Sequence, residues 1–232
     1  MRGLIGRWAW LAVALVALPL LLAIYGTPPA GDQPLPNGPL KAASAPLLAR
    51  AGVAGTPIVV RPGGGPCAWG TVVGLGDRQR IVVSPGALAY PTDQSLWTIA
   101  HEAGHVRRGD PLLGVIVGWV WLVLALAAAQ VLTTWAFRRW RWWGLAALPL
   151  AVGLVFVLGL PLFNLIQRQV ERRADQFGVE MAGSGAAAAA MLERSDACLG
   201  VHDRAGLFET LFRLNHPRAQ ARIAMLKAMD RR

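Results

Sequence analysis

The sequence predicts an α+β chain: a mainly helical domain with a small β-sheet, interrupted by a transmembrane helical hairpin and preceded by an N-terminal transmembrane helix. Three observations predict it. Hydrophobic residues make up 54% of the 232 residues and the mean hydropathy is +0.42. Both values are high for a soluble globule, so membrane segments are sought first. Three long apolar stretches then supply the spans. The polar pieces between them hold short β-rich runs and helix-period patterns.

Taken in order, the first apolar stretch, Trp8 to Tyr25, follows a short basic leader with Arg2 and Arg7. Such flanks suit a signal peptide, but no clean small-x-small cleavage site follows. Residues 1–25 are therefore read as an uncleaved anchor, and 26–39, GTPPAGDQPLPNGP, as a flexible Pro/Gly linker. Residues 40–111 open with LKAASAPLLARAG, whose spacing is helical and stops at Gly52. Three β-rich runs follow, PIVVR, AWGTVVG and RIVVS, separated by Gly/Pro turns. DQSLWTIAHEAGHVRRG then reads as a helix with Asp93 near its N-cap.

Leu112 to Phe137 and Trp143 to Phe163 are each long enough to cross a bilayer, which takes about 20 residues. No Asp or Glu occurs from Pro111 through Val170, and residues 112–163 are read as the hairpin. Its link, RRWRWW, has the arginines and interfacial tryptophans of a short cytoplasmic loop. Residues 164–232 begin with the helix NLIQRQVERRADQFGVEMAG, continuous with the third span. An alanine-rich helix follows near 185–195, then two helical stretches joined around His216 and Pro217.

The net charge of +10 comes almost entirely from arginine. Its placement beside apolar spans and Trp fits lipid headgroups, and no zinc-finger, helix-turn-helix or RNA-binding signature suggests a nucleic-acid partner. With the basic N-terminus and the RRWRWW loop both cytoplasmic, residues 26–111 and 164–232 meet on the opposite face. Arg107, Arg108 and the arginines after Gln167 run against that rule. Cys67 and Cys198 form no CxxC pair and read as simply buried or free. A disulfide between them is open if this part faces an oxidising compartment.

Chemistry concentrates in TIAHEAGHVRRGDP, Thr98 to Pro111. Residues four apart share a helix face, so His101 and His105 offer two imidazoles to one point. Converging neutral imidazoles suit zinc, and Glu102, beside the first histidine, is placed to take a proton from the attacking water. This is the HExxH arrangement of zinc peptidases. A catalytic zinc needs a third protein ligand. The position six residues after His105, where one class carries a third histidine, is Pro111. In ERRAD, Glu171 and Asp175 lie four apart. Glu171 can be the third ligand, or merely pair with neighbouring arginines. Asp175 is placed to orient a ligating imidazole.

HExxH, a membrane hairpin and an ExxAD helix together resemble the integral-membrane zinc metallopeptidases typified by the heat-shock protease HtpX and the CAAX prenyl endopeptidases. RIVVSPGAL (Arg80 to Leu88) matches that family's strand and turn, with Ala87 extra, and HPRAQARI (His216 to Ile223) matches its His-Pro and Arg-Ile. The resemblance covers most of residues 40–230. It implies a zincin-like fold, His101, His105 and Glu171 as zinc ligands, Glu102 as general base and Asp175 behind the ligands. It also implies that His216 and Arg222 line the site, His216 donating to the oxyanion. His202 matches nothing and reads as a surface loop residue. Two departures stand out: CAW replaces the usual Asn-Ala-aromatic, putting Cys67 where Asn is expected, and one span precedes the domain where HtpX-like proteins have two.

These residues predict a membrane-bound zinc endopeptidase acting on membrane-associated or misfolded proteins, with an extended substrate adding as a strand near AWGTVVG. An antibiotic-sensing signal transducer would keep its protease cytoplasmic and carry a sensor domain. An intramembrane site-two-like protease would need HExxH within a span. A catalytically inactive scaffold is the remaining alternative, and metal analysis separates it.

Overall fold

Apolar and polar periods alternate along the chain, and the computed structural model, which describes residues 2–140, 144–200 and 216–230, shows what each becomes. Helix α1 spans Arg2–Gly26 and contains Pro19. Strand β1, Gln33–Pro34, is followed by α2, Pro39–Arg50, which starts on a proline whose missing N–H costs nothing in a first turn. Strands β2 (Ile58–Val60), β3 (Gly70–Val73) and β4 (Arg80–Val83) are the three β-rich runs. After a one-turn α3 at Gly86–Ala89 come α4 (Thr92–Arg108), α5 (Asp110–Trp140), α6 (Gly144–Ala182) and α7 (Gly185–Leu199). The last described helix, α8, is Ala219–Met229. The chain is thus mainly helical with one small mixed sheet.

The sheet has the order β1-β2-β4-β3. β2 and β4 run parallel, with Ile58 opposite Ile81, and β3 runs antiparallel to β4, with Gly70 opposite Val83. Ile81, Val82 and Val83 are fully buried, so the second-from-edge strand is covered on both faces and reads as an unbroken apolar run. Against it packs α4 through Ile99, Ala100 and Ala103, all at 0% exposure. Among the described residues β3 pairs with β4 alone, which leaves its other edge free.

Several expectations need correction. The segment 26–39 is not wholly a loose linker: Gln33 and Pro34 pair with Val60 and Val59, and Asp32 accepts two hydrogen bonds from Arg61 at 2.9 and 3.0 Å. A two-residue strand containing proline has no alternation to reveal it. Asp93 does lie near the N-cap of α4, in the first turn two residues after Pro91, where its charge suits the helix dipole. Cys67 and Cys198 are neither free nor simply buried: they form a disulfide, with Cα atoms 5.6 Å apart across 131 residues. It ties the loop entering β3 to the end of α7, and Ser195 reinforces the tie by donating to the Ala68 carbonyl at 2.9 Å.

The described helices include two long and apolar enough to cross a membrane, within α5 (Asp110–Arg139, hydropathy 2.5) and α6 (Val152–Ala182, hydropathy 1.4). Large apolar side chains stand out from both, among them Val131, Leu150 and Leu158. That is the surface expected against lipid rather than water. In α6 no charge appears before Arg168, and beyond it the same helix rises into the polar domain carrying Glu171 and Asp175. α1 lies against α5, where Trp119 Nε1 donates to the Ala14 carbonyl at 2.9 Å. The residues Arg141 to Trp143 of the basic link, His202, and the stretch before His216 expected to be helical lie outside the described residues.

Candidate metal centre

Helix α4 sets the first half of the site. His101 and His105, one turn apart, turn their Nε2 atoms toward each other at 3.1 Å. Glu171 reaches the same point from α6, with Oε2 3.5 Å from His101 Nε2 and Oε1 3.6 Å from His105 Nε2. Ligands bonded at about 2.0–2.1 Å in a tetrahedral arrangement lie about 3.3 Å apart. The three side chains therefore bracket a space of the right size for a cation, with all three donor atoms within 4.8 Å of one another.

The backs of the imidazoles support that reading. His105 Nδ1 lies 2.8 Å from Asp110 Oδ2. His101 Nδ1 lies 3.0 Å from Asp175 Oδ1, too oblique for a well-formed hydrogen bond but inside ion-pair reach. Carboxylates behind the Nδ1 atoms favour the proton there and leave both Nε2 lone pairs facing inward. Two lone pairs 3.1 Å apart repel unless a shared proton or a metal cation lies between them. The donor set thus fits a metal ion.

Asp175 is fully buried and receives both arms of Arg222, at 2.8 and 2.6 Å. Arg222 Nη2 also lies 3.9 Å from Glu171 Oε2. His216, half exposed, places Nδ1 3.1 Å from Glu171 Oε2. Glu102 is buried against the start of β3. A Cβ at Gly70 would lie 3.0 Å from Glu102 Cγ, so only glycine lets the strand backbone come this close.

The protonation equilibria follow from this packing. Burial pushes the Glu102 carboxyl above its usual range, outweighing the pull of the two imidazoles. Burial alone would depress His101, but contacts with Asp175 and Glu171 reverse it and lift the imidazole to about 9. Glu171 is also opposed by burial, yet His101 and His216 hold it well below the ordinary carboxylate range. Asp175 behaves likewise under His101 and Arg222. The pocket is arranged to hold added positive charge between carboxylates, which is what a metal supplies.

A cleft of ≈ 1050 Å³ runs over these groups. It is lined by β3, by Met191 and Leu192 of α7, by Tyr25 of α1 and by Phe163 of α6. Of the predicted site residues, His101, Glu102, His105, Glu171, His216 and Arg222 line this cleft, Asp175 lies buried behind His101, and His202 is outside the described residues. Cys67 precedes β3 instead of lying on it, and the disulfide takes up its side chain. Sequence reasoning missed Asp110. Its signal was Gly109, whose left-handed conformation (φ 66) ends α4 and starts the next helix one residue later, folding a carboxylate back under His105.

Residues 34–230 match the model of peptidase family M48. The chain is similar to protease HtpX of Pseudomonas entomophila (strain L48), 29% identical over 131 residues, covering 53% of this chain and 44% of that relative. Its fold is that of the crystal structure of S. mikatae Ste24p, with a TM-score of 0.72 at 18% identity, over 94% of this chain and 57% of that one. The chain spans about half the length of the relatives it matches.

Proposed function

The chain belongs to peptidase family M48, and from that premise we propose that it is a membrane-bound, zinc-dependent endopeptidase. The single observation that carries the proposal is the convergence of His101, His105 and Glu171 on one cation-sized space, with Glu102 beside it. The HtpX relative, named a protease, supports the same reading. Residues 40–111 and 164–232 form the two halves of the peptidase domain, with 112–163 as the membrane hairpin between them.

His101, His105 and Glu171 would hold the metal, and zinc there would supply a Lewis acid for the scissile carbonyl and the attacking water. Glu102 takes the proton of the attacking water and delivers it to the leaving amine; its burial raises its affinity for that proton while it is carried. Asp175 and Asp110 hold His101 and His105 in their ligating orientation. Arg222 fixes Asp175, and His216 at the rim donates to the oxyanion as the carbonyl is attacked.

The substrate binds extended along the free edge of β3, whose residues line the cleft. Main-chain pairing of this kind is sequence-tolerant and suits membrane-associated or misfolded proteins, hence a role in protein quality control. The disulfide supports an oxidising, extracytoplasmic compartment for the domain. This agrees with the orientation given by the basic N-terminus and basic hairpin link, in a bacterial cell membrane. Purified protein in detergent is expected to cleave casein, and to lose cleavage with a chelator or with Glu102→Gln while the variant keeps its metal. Undiminished cleavage by Glu102→Gln would overturn the assignment. A chain that binds metal but cleaves nothing would be the inactive scaffold.

A further inference from the structure

The arginines that follow Gln167 run against the charge argument for orientation, and the metal centre uses none of them. The structure gives them a common place. Gln169, Arg172, Arg173 and Gln176 recur at i, i+3, i+4 and i+7, one face of α6. This face borders a recess of ≈ 470 Å³ whose far side includes Pro217 and Arg222. Arg222 is engaged with Asp175, whereas Arg172 and Arg173 have no acidic partner among the described residues.

Depth along the helix identifies what meets them. The uncharged run of α6 ends at Gln167. At 1.5 Å per residue, Arg172 and Arg173 lie about 6–8 Å beyond the first charge at Arg168. The headgroup layer on each side of the hydrocarbon core is about 5–8 Å thick. Two arginines lining one recess at that depth can offer donors to the oxygens of a phosphodiester, which arginine binds with paired hydrogen bonds. The flanking Gln169 and Gln176 add neutral donors and acceptors suited to hydroxyls, while the arginines repel choline or ethanolamine cations.

We propose that this recess between α6 and the His216–Met229 arm binds the headgroup of an anionic phospholipid of the phosphatidylglycerol class. The occupied recess clamps Pro217 and α8 against α6, which keeps His216 at Glu171 and Arg222 at Asp175. Anionic lipid therefore raises cleavage. The lipid site rests on the membrane placement of α6 and not on the catalytic assignment.

The test uses the full chain in nanodiscs and the variant Arg172→Gln/Arg173→Gln. Native mass spectrometry after detergent exchange counts retained phosphatidylglycerol, with no reference to activity. The wild type should retain it and the double variant should bind it on the order of 10-fold more weakly, with metal content equal. Casein cleavage by the wild type should rise from phosphatidylcholine discs to mixed phosphatidylcholine–phosphatidylglycerol discs, and the double variant should show only the lower rate in both. Equal retention by the two proteins would overturn the site. Full stimulation by free glycerol phosphate in phosphatidylcholine discs would overturn the lipid as its ligand.

Discussion

His105 takes its support from Asp110, five residues along the chain, whereas His101 takes its support from Asp175, on a helix that has returned across the hairpin. The first arrangement is local: a helix, a left-handed glycine and a carboxylate at the start of the next helix. The second is assembled at long range from α4, α6 and α8, with Arg222 closing it from the far end of the chain. The local half keeps its shape wherever α4 and the start of α5 are folded. The remote half exists only when the hairpin brings α6 back. The two halves should therefore fail differently.

The largest effect is expected at the remote half. Asp175→Ala leaves Arg222 buried without its partner, which costs about 3–5 kcal/mol, and removes the carboxylate behind His101, which lowers metal affinity up to about 100-fold. Thermal unfolding in detergent and chelator competition report the two losses; if neither quantity moves, the long-range network does not hold the site together. Next comes the disulfide. Cys198→Ser frees the loop before β3 from α7 and is expected to remove about 2–4 kcal/mol of stability while metal content stays intact, as denaturant titration with metal analysis would show.

Gly70→Ala probes the seam between β3 and α4. The new methyl would lie 2.7 Å from Thr98 Cγ2 and 3.0 Å from Glu102 Cγ, an overpacking of about 1–3 kcal/mol. The expected signature is a fall in kcat with metal retained, and an unaltered kcat would mean that Glu102 tolerates displacement. The smallest effect belongs to the local half. Asp110→Asn should weaken metal binding about 10-fold with little change in Tm, because Arg108, the cation that also pairs with Asp110, keeps 25% of its side chain exposed to solvent. A loss of stability as large as that of Asp175→Ala would erase the distinction between the halves.

The same contrast explains what could be read in advance. His101, Glu102 and His105 are spaced by a helical turn, so their convergence is written in four residues of local sequence. The apolar hairpin and the three β-rich runs declare themselves by period and composition. Glu171 was open on spacing alone, because nothing local distinguishes a ligand from a solvated acid beside Arg172 and Arg173; the resemblance supplied its role, and the coordinates supply its distance. The Cys67–Cys198 pair, the Gln33–Pro34 strand and the contact of Asp110 with His105 depend on how the chain folds back. No periodicity encodes them.

A carboxylate returning from the hairpin and two imidazoles of α4 face one cation-sized space, and the whole reading depends on their closing on a single divalent ion. Metal stoichiometry of the wild type and of Glu171→Ala, measured by elemental analysis after exhaustive dialysis, tests it most directly. One divalent ion per chain is expected in the wild type, and its loss in Glu171→Ala. Full retention of the ion by that variant would contradict it.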